Sequence, residues 1–152
     1  MILTKILKPD CVIVPLKNTD KRSVITELVN VLDAQKVLSN KDVALQAVLT
    51  REQTKSTGIG SGVAIPHGKC KVVKELVMSI GIAPSPIDFE SVDGKPVSII
   101  ILLISPLDQT GPHIQALAQI SRLMLDEDFR NKLQNAHSPQ EVCDLINSKE
   151  NG

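Results

Sequence analysis

Hydrophobic positions along the chain change their period several times, and each change marks an element. "CVIV" at 11–14, closed by Pro15, is a short run rich in β-branched residues and reads as a strand. From Thr19 the spacing lengthens to three and four. Val24, Ile25, Leu28, Val31 and Leu32 fall on one side of a helix that Thr19 or Asp20 can cap and that runs to about Val37. Asn40 can cap a second helix reaching about Glu52, with Val43, Ala44, Ala47 and Val48 on one face. "LVMSIGIA" (76–83) and "VSIIILLIS" (97–105) read as strands, the second apolar at nearly every position. A strand of that kind has no solvent face, so helices must cover its sheet on both sides. Near Gly111 a third helix begins, with Pro112 at the first helical position and Ile114, Leu117, Ala118, Ser121 and Leu125 as its packed stripe. "DEDFRNKLQNA" continues helical, and "SPQEVCDLIN" opens on Ser138, with Pro139 in the first turn and Glu141 as capping-box partner.

These elements make an α/β protein, one sheet between helical layers, in a single domain over residues 1–152. A chain of this length buries roughly two-thirds of the surface that its unfolded form exposes. The long connection "PSPIDFESVDGKP" carries a turn signal at Asp93-Gly94, and no repeat, linker or low-complexity segment interrupts the pattern. Charge adds an exclusion. Seventeen basic residues balance seventeen acidic ones, and Trp and Tyr are absent, so the chain offers a nucleic acid neither an electrostatic footprint nor stacking surface. No apolar run approaches the ~20 residues of a spanning helix, and "MILTKILKPD" lacks a signal-peptide core followed by a cleavage site. The expectation is a cytoplasmic protein that is not inserted in a membrane. Cys11, Cys70 and Cys143 are odd in number and far apart, and read as buried or inert thiols in a reducing compartment.

The candidate chemistry gathers in "TGIGSGVAIPHGKC" (57–70), after the second helix. Gly58-Ile59-Gly60-Ser61-Gly62-Val63 is not the dinucleotide fingerprint, which also needs a preceding strand. Gly62 to Gly68-Lys69-Cys70 is one residue too long for a phosphate loop of the Walker type, and Cys70 replaces the hydroxyl that would hold magnesium. Ser61 is misplaced for a nucleophile elbow. What remains is His67 fixed between Pro66, which pins the backbone, and Gly68, which admits a close approach by another group or another protein. Gly58, Gly60 and Gly62 let the chain wrap, inward backbone N–H groups would form an anion nest, and Ser56, Thr57 and Ser61 add hydroxyl donors.

Two residues elsewhere fit the same chemistry. Arg51, just before the loop, carries a guanidinium suited to phosphate oxygens, or is simply a solvated cation at a helix end. His113 stands at the start of the third helix, beyond the carboxyl end of the buried strand, where unpaired amides and the macrodipole favour an anion. It is equally readable as an ordinary helix-start residue. His67 and Cys70 make an H-x-x-C spacing, but Cys11 and Cys143 have no ligand partner nearby, so no metal site and no cofactor are expected.

"STGIGSGVAIPHGK", "PIDFESVDGKPVSIIILLISP" and "HIQALAQISRLM" together resemble the type 2 enzyme IIA domain of the bacterial phosphoenolpyruvate-dependent sugar phosphotransferase system, the fructose, mannitol and nitrogen-regulatory class. The resemblance covers nearly the whole chain and implies a single mixed sheet sandwiched between helical layers. By the same resemblance, His67 accepts a phosphoryl group from the phosphocarrier HPr on Nε2, with Nδ1–H held by a backbone carbonyl or similar acceptor. His113 is the second active-site histidine and Arg51 the active-site arginine. Two outputs are implied: a regulatory module whose phosphorylation state controls target proteins, or a transport subunit that hands the phosphoryl group to a cysteine of an enzyme IIB domain. The chain reads as free-standing, which tilts the expectation towards regulation. Ile59, Val63 and Ile65 either form an apolar docking rim around His67 or belong to the core.

Overall fold

The computed structural model describes residues 2–152, with Met1 outside them. Its architecture follows from the strand Val97–Ser105, designated β6. Alternate side chains of this strand enter two separate cores. Ile99, Ile101 and Leu103 pack on one face, and Ile100, Leu102 and Ile104 on the other. The sheet is therefore a partition, and helices lie on both sides of it as the apolar run requires.

Both edges of β6 are hydrogen-bonded. On one edge runs β5 (Val77–Ile87), antiparallel, with β1 (Val12–Ile13) parallel beyond it. On the other lie β3 (Val63–Ala64) and then β4 (His67–Lys69), both parallel to β6, and β2 (Gly58–Gly60) pairs antiparallel with β3. The sheet is thus mixed, in the order β1-β5-β6-β3-β2, with β4 further along β6.

Helices α1 (Lys21–Ala34) and α2 (Lys41–Thr54) cover one face. Helices α3 (Thr110–Leu123), α4 (Glu127–Gln134) and α5 (Pro139–Asn151) cover the other. Most helix starts are capped as their residues dictate. Asp20 accepts from the Ser23 amide at 2.9 Å, Asn40 from Asp42 and Val43, and Ser138 from Glu141. The Glu141 carboxylate reaches back to the amide of His137 rather than that of Ser138.

Several expectations need correction. The glycine-rich stretch is not a free loop: β3 and β4 pair with the edge of β6, and β2 folds back on β3. Helix α1 stops at Ala34, where Lys36 turns left-handed at φ 61°. Val43 faces solvent, while Ala44 and Val48 are buried as expected, joined by Leu49 and Glu52. In α3 the stripe is rotated: Ile114 and Leu125 are 59% and 80% exposed, while His113, Ala116, Ile120 and Leu123 are buried. Helix α3 begins at Thr110, which puts Pro112 third rather than first. Val63 and Ile65 are core residues, leaving Ile59 as the exposed one of the three.

Gly68 decides how closely α2 approaches β4. A Cβ at this position would lie 3.2 Å from the carbonyl carbon of Ala47 and from the amide nitrogen of Val48, backbone atoms that cannot swing aside. Gly68→Ala should therefore cost about 1–3 kcal/mol, the usual range for overpacking. Gly111→Ala, where the space is open, should be neutral or stabilising by up to about 1 kcal/mol. Urea unfolding of the two variants reads the contrast, and equal midpoints would show that the α2 contact is not tight.

Candidate functional site

Segment 63–69 follows the edge of β6, and Pro66 interrupts it. Proline has no N–H, so the ladder skips there, although its carbonyl still accepts from Leu103 at 3.0 Å. Directly before this break, the carbonyl of Ile65 takes the side chain of His67, with Nδ1 at 2.7 Å. A carbonyl only accepts, so Nδ1 must carry the hydrogen and Nε2 must hold the lone pair. Burial, reinforced by the positive charge of Arg51, lowers the pKa of His67 against the opposing pull of the Ile65 bond, which favours the neutral ring.

His67 and Lys69 project to the face covered by α3, and Gly68 projects to the α2 face. Lys69 Nζ bonds Thr110 Oγ1 at the start of α3, at 3.2 Å. Across from His67 stands His113, its ring centroid 5.4 Å away and its plane tilted by 58°. His113 is buried, and its Nδ1 lies 2.6 Å from Oγ of Ser105, the last residue of β6. Burial, then the neighbouring His67 and Lys69, lower its pKa to about 4. The two rings thus meet at the carboxyl end of β6, both uncharged at neutral pH.

Arg51, half-buried in the last turn of α2, donates from Nη1 to the Lys55 carbonyl at 2.9 Å and keeps further N–H groups on the same guanidinium. Next to it, Glu52 is buried and pairs with Lys21 at 2.7 Å. Its carboxylate also accepts from the amide of Thr57 at 2.9 Å and from the Thr57 hydroxyl. Lys21 Nζ lies in addition 5.2 Å from the centre of the Phe89 ring. The entry to the glycine segment is therefore anchored to both α1 and α2.

A family model described as phosphoenolpyruvate-dependent sugar phosphotransferase system, EIIA 2, matches residues 5–149. The chain belongs to this family. EIIA components are the phosphotransferase components that carry phosphohistidine. A nitrogen regulatory protein of Bradyrhizobium diazoefficiens is 33% identical over 96% of this chain and 95% of its own length. The fructose-specific EIIABC component of Bacillus subtilis is also 33% identical, over 97% of this chain, which spans only 23% of that longer relative. The crystal structure of the nitrogen regulatory protein IIA-Ntr from Neisseria meningitidis superposes with a TM-score of 0.88, at 30% identity, over 96% of this chain and 99% of that one.

Within this EIIA chain, the expected anion nest is largely committed to other bonds. The amides of Thr57, Gly58 and Ser61 are taken by Glu52, Ser56 Oγ and Asp93 respectively. The Ser56 hydroxyl donates to the Phe89 carbonyl at 2.7 Å, and Ser61 sits exposed at the tip of the β2–β3 hairpin. Gly60 and Gly62, at φ 98° and 81° on either side of Ser61 at 58°, shape this tip. Gly58 packs closely on Ser91. The amide of His113 is paired with the Gln109 carbonyl at 3.1 Å, so it is not one of the open amides of the helix start. What surrounds His67 is side-chain chemistry: the ring of His113 and the charge of Arg51, with Lys69 acting on His113. The sequence reading missed Lys69, Glu52 and Ser105. The alternation in His-Gly-Lys places Lys69 on the same side as His67, a signal that period-two reasoning could have used.

No helix among the described residues is long and apolar enough to cross a membrane. Cys11, Cys70 and Cys143 are buried and unbridged, and burial raises the pKa of Cys11 and Cys143. No group of three or more His, Cys, Asp or Glu side chains among the described residues is gathered as a metal site.

His113 makes stability depend on pH in a definite direction. It titrates at about 4 in the folded chain, against 6.5 ordinarily, so between these values the unfolded chain binds a proton that the folded chain refuses. Its contribution is complete above the ordinary value and is lost as pH falls through the folded one, a change of about 3 kcal/mol. His113→Gln should show a correspondingly shallower loss across that window in urea unfolding, and an unchanged slope would show that the folded ring takes its proton as easily as the unfolded one.

Proposed function

We propose that this chain is a phosphohistidine carrier in which His67 Nε2 accepts a phosphoryl group from an HPr-type phosphocarrier. The observation that carries this reading is the bond from His67 Nδ1–H to the Ile65 carbonyl, which leaves Nε2 as a nucleophile on a half-exposed ring. In the transfer, the Nε2 lone pair forms the new N–P bond while the N–P bond of the donor phosphohistidine breaks, its electron pair returning to the donor ring. His67 keeps its hydrogen on Nδ1 throughout, so no proton acceptor is needed. The Ile65 carbonyl shares the positive charge that the ring gains. Positioning and stabilisation of the equatorial oxygens do the rest. Arg51 and Lys69 provide charge for those oxygens, and His113 stands beside them. No cofactor enters.

Docking proteins meet an apolar margin of Ile59, Leu107 and Ile114, which are 48%, 56% and 59% exposed. Leu107 lies in the connection between β6 and α3, and Ile114 follows His113, so both flank the histidine pair. The carrier works in the cytoplasm, where HPr-type donors deliver their phosphoryl groups.

For the output, likeness over nearly the full length of two nitrogen regulatory proteins supports a regulatory role, in which the phosphorylation state of His67 controls binding to target proteins. Equal identity to a fructose-specific EIIABC component supports a second reading, onward transfer to a cysteine of an enzyme IIB domain in sugar uptake.

Incubation with phosphoenolpyruvate, enzyme I and HPr should add one acid-labile phosphate to the wild-type chain and none to His67→Ala. No incorporation in the wild type would end the carrier reading under either output. Arg51→Ala should slow transfer by about 10²-fold, as removal of a single oxyanion-stabilising donor does elsewhere. A wild-type rate in that variant would remove the guanidinium from the site. Addition of candidate IIB domains then separates the outputs, since label appearing on their cysteine supports transport and its retention on His67 supports regulation.

A further inference from the structure

Ser105 closes β6 and is completely buried. Its carbonyl is committed to the Cys70 amide at 3.0 Å, and its hydroxyl faces Nδ1 of His113 at 2.6 Å. Either atom of that last pair can donate, so the direction of the bond has to be decided by where each hydrogen goes. If Nδ1–H donated, the buried hydroxyl hydrogen would need an acceptor of its own. Ser105 Oγ has no other partner among the described residues, and a stranded buried donor is the costly outcome. If the hydroxyl donates, its hydrogen is accepted by Nδ1 and no buried donor is stranded at Ser105. The neutral ring then carries its single proton on Nε2, on the far side of the imidazole from Ser105.

We propose that Ser105 is a positioning residue: its hydroxyl donates to His113 Nδ1 and thereby holds the proton of His113 on Nε2, as a neutral hydrogen-bond donor for the phosphoryl group on His67. This deepens the carrier reading and rests on it.

The two histidines then have opposite tautomers for a stated reason. A carbonyl, which only accepts, holds His67 with a bare Nε2. A hydroxyl with no other acceptor holds His113 with a protonated one. Had both rings the same tautomer, His113 would turn a lone pair towards the incoming phosphoryl oxygens and repel them. The groups facing His113 are His67 and Lys69, and neither accepts its proton during transfer: His67 Nε2 is bonded to phosphorus, and Lys69 is already cationic. A neutral donor suits a carrier, because it orients the phosphoryl group without the tight grip of a second imidazolium.

A proton–nitrogen correlation spectrum of the unphosphorylated wild-type protein at neutral pH should show His113 protonated at Nε2 and bare at Nδ1, and His67 the reverse. Ser105→Ala should keep its fold by circular dichroism, show mixed tautomers at His113, and lose about fivefold in kcat for phosphoryl uptake, the weight of one neutral hydrogen bond, with the KM for the donor protein unchanged. Ser105→Thr, which keeps the hydroxyl, should recover the single tautomer. Protonation of His113 at Nδ1 in the wild type overturns the proposal, whatever the variants do. So does a Ser105→Ala protein that retains the Nε2–H tautomer and the wild-type rate. Failure of the wild type to take phosphate from HPr would instead strike the carrier reading, and the spectrum, which needs no phosphate, keeps the two outcomes apart.

Discussion

The pairing of β4 with the last three residues of β6 is the constraint on which the site depends. His67, Gly68 and Lys69 stand against Leu103, Ile104 and Ser105, and the chain then leaves the strand towards α3. One histidine is set by its register on that ladder. The other is set by a hydrogen bond to the residue that ends it. Because β6 is clamped between two apolar cores, its carboxyl end is rigid, and both imidazoles inherit their positions from it.

Electrostatics at this end of the sheet are arranged by withholding charge from the rings and supplying it at the margins. The histidines are kept neutral by burial, and the fixed positive charges sit at the mouth on Arg51 and Lys69. The one buried carboxylate nearby, Glu52, is matched to Lys21 and to both donors of Thr57. It holds the start of the glycine segment, and its negative charge pulls the pKa of His67 upward, against burial and Arg51. The hydroxyls and amides of this segment are used mainly to secure the segment itself, and the reactive chemistry is left to side chains.

Much of this was legible in the residues alone. An unbroken apolar run can only be a strand buried on both faces, so β6 and its two helical layers followed directly. Asp20, Asn40 and Ser138 announced their helices because a cap is a local interaction. Arg51, His67 and His113 were singled out from residue type, position and family resemblance, and the structure brings the two rings within 5.4 Å of each other. The hairpin of β2 and β3 was hidden, since glycines carry no strand signal and the partner that holds β3 in the sheet is the distant strand β6. The face of α3 was misassigned for a related reason. Ile114 looks like core by hydropathy, yet the burial of His113 against Ser105 rotates the helix by about one residue and turns Ile114 outward. Ser105 itself looked like a strand terminus, and only the spatial neighbour reveals its use.

The missing side chain at Gly68 works as a gauge. By seating the backbone of Ala47 and Val48 on β4, it fixes the separation between a sheet that holds His67 and a helix that carries a guanidinium in its last turn. Neither half is meaningful alone. A designer transplanting this histidine into another scaffold would have to carry the helix with it, since the distance that matters is measured across a gap rather than along the chain.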